Sequence, residues 1–352
     1  MRSTTGYLAA LISTGLLLAG CSSSDGGDSS AQSRAVVIVS GGGATTPFTT
    51  PEAACSDADG FLSAGNTATA LRDSLLAQGK QVYTAPAYAG WGVVQEPAAD
   101  SFGPFADCPE ALSEAMTIMS ESDINAGGER LARFLTYLNV KYGVTDIDLV
   151  GHSNGGLWSR SAIWVLKNTD SPVTVRSLTA LGTPNEGSVP GRFTWGEIGL
   201  DACKGVAFCE KFNQSWVPYA NAGDKGINHE DTEKYLMGPD GWNLSQVGAL
   251  DGIPVTLMGG TYWDMAGGDP SVWPYDGITS KSSAWASSIP AEVIPMRSCW
   301  AAPLTHSIFV SDAAGLDWST ALTWNADALA AVNAAIDAAD TAAGQPAGAG
   351  GS

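Results

Sequence analysis

A strand-like run, Ile147-Asp148-Leu149-Val150, stops at Gly151-His152-Ser153-Asn154-Gly155, and from Gly155 to Lys167 the apolar residues recur at helical spacing. No other feature restricts the fold so strongly. A chain that leaves a strand and enters a helix within a few residues must turn sharply, and the turn residue takes backbone angles that crowd its neighbours. Glycines at 151 and 155 remove the side chains that would clash with strand and helix. The next apolar run, Val173 to Leu181, then lies parallel to the first, because strand, helix and strand in succession make a crossover. The same alternation recurs along the chain. Ala35 to Val39 is a β-branched run opening into Ser40-Gly41-Gly42-Gly43; helical spacing covers Asn66 to Gln78 and Ile124 to Tyr142; short strands are predicted at Gln81 to Thr84 and Ile253 to Met258. A final helix is predicted from Trp318 to Ala339, on Leu322, Leu329, Val332 and Ile336. The pattern predicts an α/β fold with a mainly parallel central sheet and helices on both faces. Residues 86–123 and 259–311 read as long loops, residues 187–250 as a cap or lid inserted into the sheet, and no internal repeat is present.

With 44% hydrophobic residues in 352, the chain can bury a large core. Its formal net charge of −19 is the wrong sign for tracking phosphate backbones, so nucleic acid is not an expected partner. The N-terminus has its own pattern. Arg2, an apolar run from Tyr7 to Leu18, and Leu18-Ala19-Gly20-Cys21 resemble the signal of bacterial lipoproteins, in which the cysteine carries the lipid and becomes the mature N-terminus. That resemblance implies a signal peptide over 1–20, lipidation at Cys21, a flexible linker over 21–33, and an extracytoplasmic body over 34–342 anchored to the cell-envelope membrane. Residues 343–352 read as a disordered tail. In such an oxidising compartment Cys55, Cys108, Cys203, Cys209 and Cys299 are candidates for disulfides, Cys203 and Cys209 closing a short loop, with the connectivity open. No Cys or His stands at C-x-x-C or H-x-x-x-H spacing.

A G-x-S-x-G is weak alone in a chain with 42 glycines; the flanking strand and helix give it weight. A serine hydroxyl is a poor nucleophile unless a base takes its proton, and the helix N-terminus behind it offers free amides where an oxyanion would form. Only three histidines are available. His152 lies inside the motif and is expected to point away along the turn, which leaves His229, in a polar stretch of the cap, or His306, ahead of the final helix. In this fold the partners follow in the order serine, acid, histidine, and Asp251, Asp264, Asp269 and Asp276 all lie in that window.

Four blocks together resemble the triacylglycerol lipases of Pseudomonas and Burkholderia, members of the α/β-hydrolase superfamily. They are Val36-Val37-Ile38-Val39-Ser40-Gly41-Gly42, Gly151-His152-Ser153-Asn154-Gly155-Gly156-Leu157, Leu181-Gly182-Thr183-Pro184-Asn185-Glu186-Gly187-Ser188, and Asp276-Gly277-Ile278-Thr279-Ser280-Lys281-Ser282-Ser283-Ala284. The resemblance implies Ser153 as nucleophile, Asp276 as orienting acid and His306 as general base, with the amides of Asn154 and of Gly42, or else Gly41, as oxyanion donors. It implies an ester or lipid substrate. The sequence departs from the family at Ser40, where relatives have histidine, at Ser282, where they have a disulfide cysteine, and at Ile308, where the calcium site needs an aspartate. No cofactor or metal is therefore expected. The reading that follows is a lipid-anchored serine ester hydrolase, with a short-chain carboxylesterase or polyester hydrolase, or a catalytically silent binding lipoprotein, as alternatives.

Overall fold

The computed structural model describes residues 33–55, 62–65, 67–89, 110, 112–219 and 229–343. The signal segment, Cys21, the linker up to Ser33, Cys108 and the tail beyond Ala343 lie outside the described residues.

Strand β1 (Ser33–Val39) shows why the sheet is covered on both sides. Side chains alternate across a strand, and here both sets are apolar and buried: Ala35, Val37 and Val39 join one core, Val36 and Ile38 another. Along the chain follow α1 (Ala68–Ala77), β2 (Val82–Thr84), β3 (Ala87–Tyr88), β4 (Ile118–Met119), α2 (Ile124–Tyr142), β5 (Val144–His152), α3 (Asn154–Lys167) and β6 (Thr174–Leu181). Helices α4 (Val189–Thr194), α5 (Ala207–Trp216), α6 (Glu233–Met237) and α7 (Trp242–Ser245) come next, then β7 (Val255–Gly260), α8 (Lys281–Ala284), β8 (Arg297–Ala302), α9 (Ile308–Ala313) and α10 (Ala326–Ala343). Six strands form one sheet in the order β2-β1-β5-β6-β7-β8, every pair parallel. Leu71 and Leu75 of α1 and Val332 and Ile336 of α10 build the core on one face, while Leu131, Phe134, Leu135 and Leu138 of α2 and Leu157, Trp158 and Ile163 of α3 build it on the other.

The alternation in the sequence gives α1, α2, α3 and five of the six sheet strands, with ends shifted by a few residues. Three expectations need correction. Residues 259–311 are not only loops, because β8 extends the sheet beyond β7. As an edge strand of Arg, Ser, Cys, Trp and Ala with no fully buried residue, it lacks the apolar run that marks an interior strand. The last helix starts at Ala326, not near Trp318: Trp318–Thr320 is a 3-10 turn, and Asn325 Oδ1 accepts from the amides of Asp327 (3.0 Å) and Ala328 (3.2 Å), setting the start. The segment 86–123 contributes β3 and β4, a two-stranded parallel pair. Between 187 and 250 the described residues fold into short helices and 3-10 turns, with a Cys203–Cys209 disulfide stapling the approach to α5.

Cys55 is disulfide-bonded, with its partner outside the described residues, and Cys299 is a free, exposed thiol. Among the described residues no helix is long and apolar enough to cross a membrane.

Candidate active site

After β1 the chain moves to β2 on one side, and after β5 it moves to β6 on the other. The loops leaving β1 and β5 therefore diverge to opposite faces and open a crevice at the carboxyl ends of these strands, the usual ligand position in open parallel sheets. Ser40 to Gly43 follows β1 and Ser153 follows β5, so both lie there.

Ser153 is the hinge between β5 and α3, at φ 54°, ψ −132°. This is one of three positive-φ residues other than glycine among the described residues, a conformation the surrounding structure has to enforce. The Ser153 amide donates to Leu181 O at the end of β6 (2.8 Å). On the helix side, a β-carbon on Gly155 would collide with the Val39 carbonyl oxygen, so α3 reaches β1 only with glycine there. Across the crevice, a β-carbon on Gly41 would collide with that of Ser153 and lie 3.1 Å from its Oγ. The backbone after β1 thus passes in contact with the serine.

His306 sits in the loop between β8 and α9, and Asp276 in the turn after the bridge joining Trp263 and Tyr275; both side chains are buried. Asp276 Oδ2 accepts from His306 Nδ1 at 2.8 Å, and the His306 amide donates to Asp276 O, also at 2.8 Å. The other carboxylate oxygen accepts from the amides of Ile278 (2.9 Å) and Thr279 (2.7 Å), which fixes the carboxylate plane. With Nδ1 carrying the proton, Nε2 is left with its lone pair free to accept. Of the other carboxylates in the sequence window, Asp251, Asp264 and Asp269 are exposed, the last two accepting from nearby amides. His229 is exposed and packs edge-on against Trp195 and Tyr235. A β-carbon on Gly182, next to Leu181, would lie 2.8 Å from His306 Nδ1, which puts the imidazole beside the serine turn; no hydrogen bond joins the Ser153 hydroxyl to His306 in this structure.

His152 does not point away along the turn. Its ring packs against that of His306, centroids 4.7 Å apart, and Nε2–H donates to His306 O at 2.9 Å. Burial, with the neighbouring His306 adding to it, pushes the His152 pKa down to about 3, so the ring is a neutral prop for the loop that carries His306. The sequence signalled only its adjacency to Ser153.

The Ser40 hydroxyl accepts from Thr46 Oγ1 (2.8 Å), bracing the loop after β1 where the resembling family has histidine. Gly43 donates to Ser120 O (3.2 Å), while the amides of Gly41, Gly42 and Asn154 have no acceptor among the described residues. Three free N–H groups at one crevice can receive a developing negative charge. Ser282 donates to Pro270 O (2.7 Å), a hydrogen bond in place of the family's disulfide. Aromatic rings gather on the side of α9: Phe208 stacks on Trp263 (4.2 Å), and Phe212 lies 6.2 Å from Phe309, an exposed residue three positions after His306. The calcium-ligand position is the buried apolar Ile308, which offers no donor, and among the described residues no group of three or more His, Cys, Asp or Glu could hold a metal ion.

The serine turn after β5, the parallel sheet with its reversal of strand order at β1, and the histidine in the loop after the last strand decide the fold. It is an α/β-hydrolase fold. No protein-family model matches the chain. Over 69 residues, 20% of the chain, it is 38% identical to a triacylglycerol lipase of Pseudarthrobacter phenanthrenivorans, and to the same extent to one of Burkholderia plantarii. The matched stretch spans only 20% and 18% of those relatives. Among solved structures, a thermophilic esterase of Thermogutta terrifontis overlaps 87% of this chain and 90% of its own at 14% identity, with a TM-score of 0.41.

Proposed function

We propose that this chain is a lipid-anchored, extracytoplasmic ester hydrolase, lipase-like in its chemistry, in which Ser153 is the nucleophile, His306 the general base and Asp276 its orienting acid. The observation that carries the reading is the 2.8 Å hydrogen bond between His306 Nδ1 and Asp276 Oδ2, made beside a serine held at positive φ. Lipid attachment rests on Leu18-Ala19-Gly20-Cys21.

In the first step Ser153 Oγ attacks the ester carbonyl carbon while His306 Nε2 takes the hydroxyl proton. The carbonyl oxygen becomes an oxyanion and receives hydrogen bonds from the amides of Asn154 and Gly42. The tetrahedral intermediate collapses, His306 gives its proton to the leaving alcohol, and an acyl-Ser153 ester remains. Water then attacks that ester, again losing a proton to Nε2, and the acid departs as Ser153 regains its hydrogen. Asp276 stays ionised throughout and holds the imidazole in the tautomer that frees Nε2. The rings of Phe208, Phe212, Trp263 and Phe309, gathered on the side of α9, favour apolar acyl or aromatic ester groups over charged ones.

The test is turnover of p-nitrophenyl esters, from acetate to palmitate, by the full chain beside Ser153→Ala. Loss on the order of a million-fold in the variant is expected, and the chain-length profile separates a lipase from a short-chain esterase. Equal inertness of both proteins across the series overturns the reading and favours a binding lipoprotein. Incorporation of labelled fatty acid by the wild type, lost in Cys21→Ala, tests the anchor.

A further inference from the structure

The 3-10 turn His229–Asp231 reaches from the cap to the N-termini of two helices. Glu230 Oε2 accepts from the Ile124 amide (2.5 Å) at the first residue of α2. The Asp231 carboxyl group interacts with the side chain of Asn154, the first residue of α3. The turn is wedged in place. Ser188 N donates to Asp231 O at 2.9 Å, and a β-carbon on Gly191 of α4 would lie 2.8 Å from the Asp231 β-carbon, so α4 packs closely against the half-buried aspartate. On its other side the Asn154 carboxamide abuts the loop after β1: its Nδ2 would be 3.3 Å from a β-carbon on Gly42.

We infer that Asp231 is a positioning residue, holding the Asn154 side chain against Gly42 and so keeping the two oxyanion donors at their spacing. This rests on the assignment of Ser153, Asn154 and Gly42 made above. Asp231 is not a catalytic residue, because its contact runs to a side chain and the reacting oxygen meets backbone amides.

The carboxyl group has no cation partner among the described residues. Of the ionisable groups around it, Glu230 is on the same turn, Arg192 on α4 is engaged by Glu197 (3.6 Å) and Glu233 (2.7 Å), and His229 is exposed. Burial pushes the Asp231 pKa up to about 7; the Asn154 side chain opposes the shift and the charge of Glu230 adds to it. The Asn154 carboxamide can engage either protonation state, since a neutral carboxyl can donate to the amide oxygen and a carboxylate can accept from its NH₂. The charge does not act equally on the reaction. An ionised Asp231, held against the residue whose amide receives the developing oxyanion, opposes that charge, so kcat declines as pH rises through about 7.

The test is kcat and KM for p-nitrophenyl butyrate from about pH 6 to about pH 9, on the full chain and on Asp231→Ala, Asp231→Asn, Asn154→Ala, the Asp231→Ala/Asn154→Ala double variant and Ser153→Ala. Asp231→Ala is expected to lower kcat about 10- to 100-fold with KM within about twofold. Asp231→Asn, which keeps a hydrogen-bonding partner without the charge, is expected to recover part of that loss and to abolish the alkaline decline. The double variant is expected to be no worse than Asn154→Ala, because Asp231 acts through that side chain. Wild-type kcat in Asp231→Ala, multiplying losses in the double variant, or an unaltered decline in Asp231→Asn each overturn the inference. Should Asp231→Ala fail to fold, the pH profile of Asp231→Asn decides alone. Activity remaining in Ser153→Ala would instead overturn the assignment of the nucleophile.

Discussion

His152 titrates far below the range of a solvated imidazole, and that has a consequence for stability as well as for the site. In the unfolded chain it takes up a proton near 6.5, while in the native protein it stays neutral down to about 3. Between those values the unfolded state binds more protons, so stability is complete above 6.5 and is lost as pH falls toward 3. At roughly 1.4 kcal/mol per unit, the full window amounts to about 5 kcal/mol. His152→Gln, which retains a donor but cannot take up a proton, is expected to narrow the stability gap between neutral pH and about pH 4.5 by about 2 kcal/mol, read from urea midpoints at the two pH values. It is also expected to lower kcat, since the His306 loop loses the ring packed against it. The difference between these histidines also shows what a sequence can carry. Ser153 stands out by its strand-to-helix motif and His306 by its place ahead of the final helix, whereas four aspartates fit the required order and only the resemblance to the lipase block singles out Asp276. The contacts of His152 and Asp231 depend on which loops the fold brings together, and neither adjacency in sequence nor spacing encodes that.

Helices α2 and α3 cross at Gly127 and Gly128. A β-carbon on Gly127 would lie 2.6 Å from the Trp158 indole nitrogen, and one on Gly128 would collide with the Ser161 side chain. An interior helical glycine is ordinarily improved by alanine by about 0.5–1 kcal/mol. Here the sign reverses, because forcing a methyl group into a packed crossing costs about 1–3 kcal/mol and α3 cannot retreat without moving Ser153. Gly128→Ala is expected to lower the thermal midpoint by a few degrees in calorimetry, and to reduce turnover of p-nitrophenyl butyrate through the displaced helix N-terminus. The same pair of elements was legible in the sequence, since α2 and α3 are long amphipathic runs and β5 and β6 are interior strands. What could not be read was β8, half-exposed at the sheet edge, and the turn of Trp318–Thr320, whose aromatic and apolar neighbours keep helical spacing while Asp317 holds the backbone in a turn through the Ser319 amide (2.8 Å).

Across the whole molecule, the first strand and the last helix meet although some three hundred residues separate them in sequence. Asp148 in β5, fully buried, accepts from Arg34 Nε of β1 (2.7 Å) and Ser177 Oγ of β6 (2.6 Å), with Arg176 at 3.6 Å. Both arginines also reach Asp340 of α10, at 2.5 and 2.7 Å, and Lys80 pairs with Asp337 at 2.6 Å. These pairs close the chain on the face carrying α1 and α10. The exposed members contribute little, because water and salt screen them. Asp148 is different, since removing a buried carboxylate strands its cationic partners beside the core. The arginines retain some access to water, at 33% and 16% exposure, which moderates the loss. Asp148→Ala is therefore expected to destabilise by about 3 kcal/mol. Because Asp148 bonds into strands β1 and β6 several residues before their ends, and the crevice lies beyond those ends, kcat below the unfolding transition is expected to stay within about twofold of the wild type. Urea denaturation and p-nitrophenyl butyrate turnover on the same samples check both halves: a shifted midpoint with intact turnover fits a network that holds the fold closed, whereas a parallel loss of kcat would mean that this charge cluster and the serine turn move together.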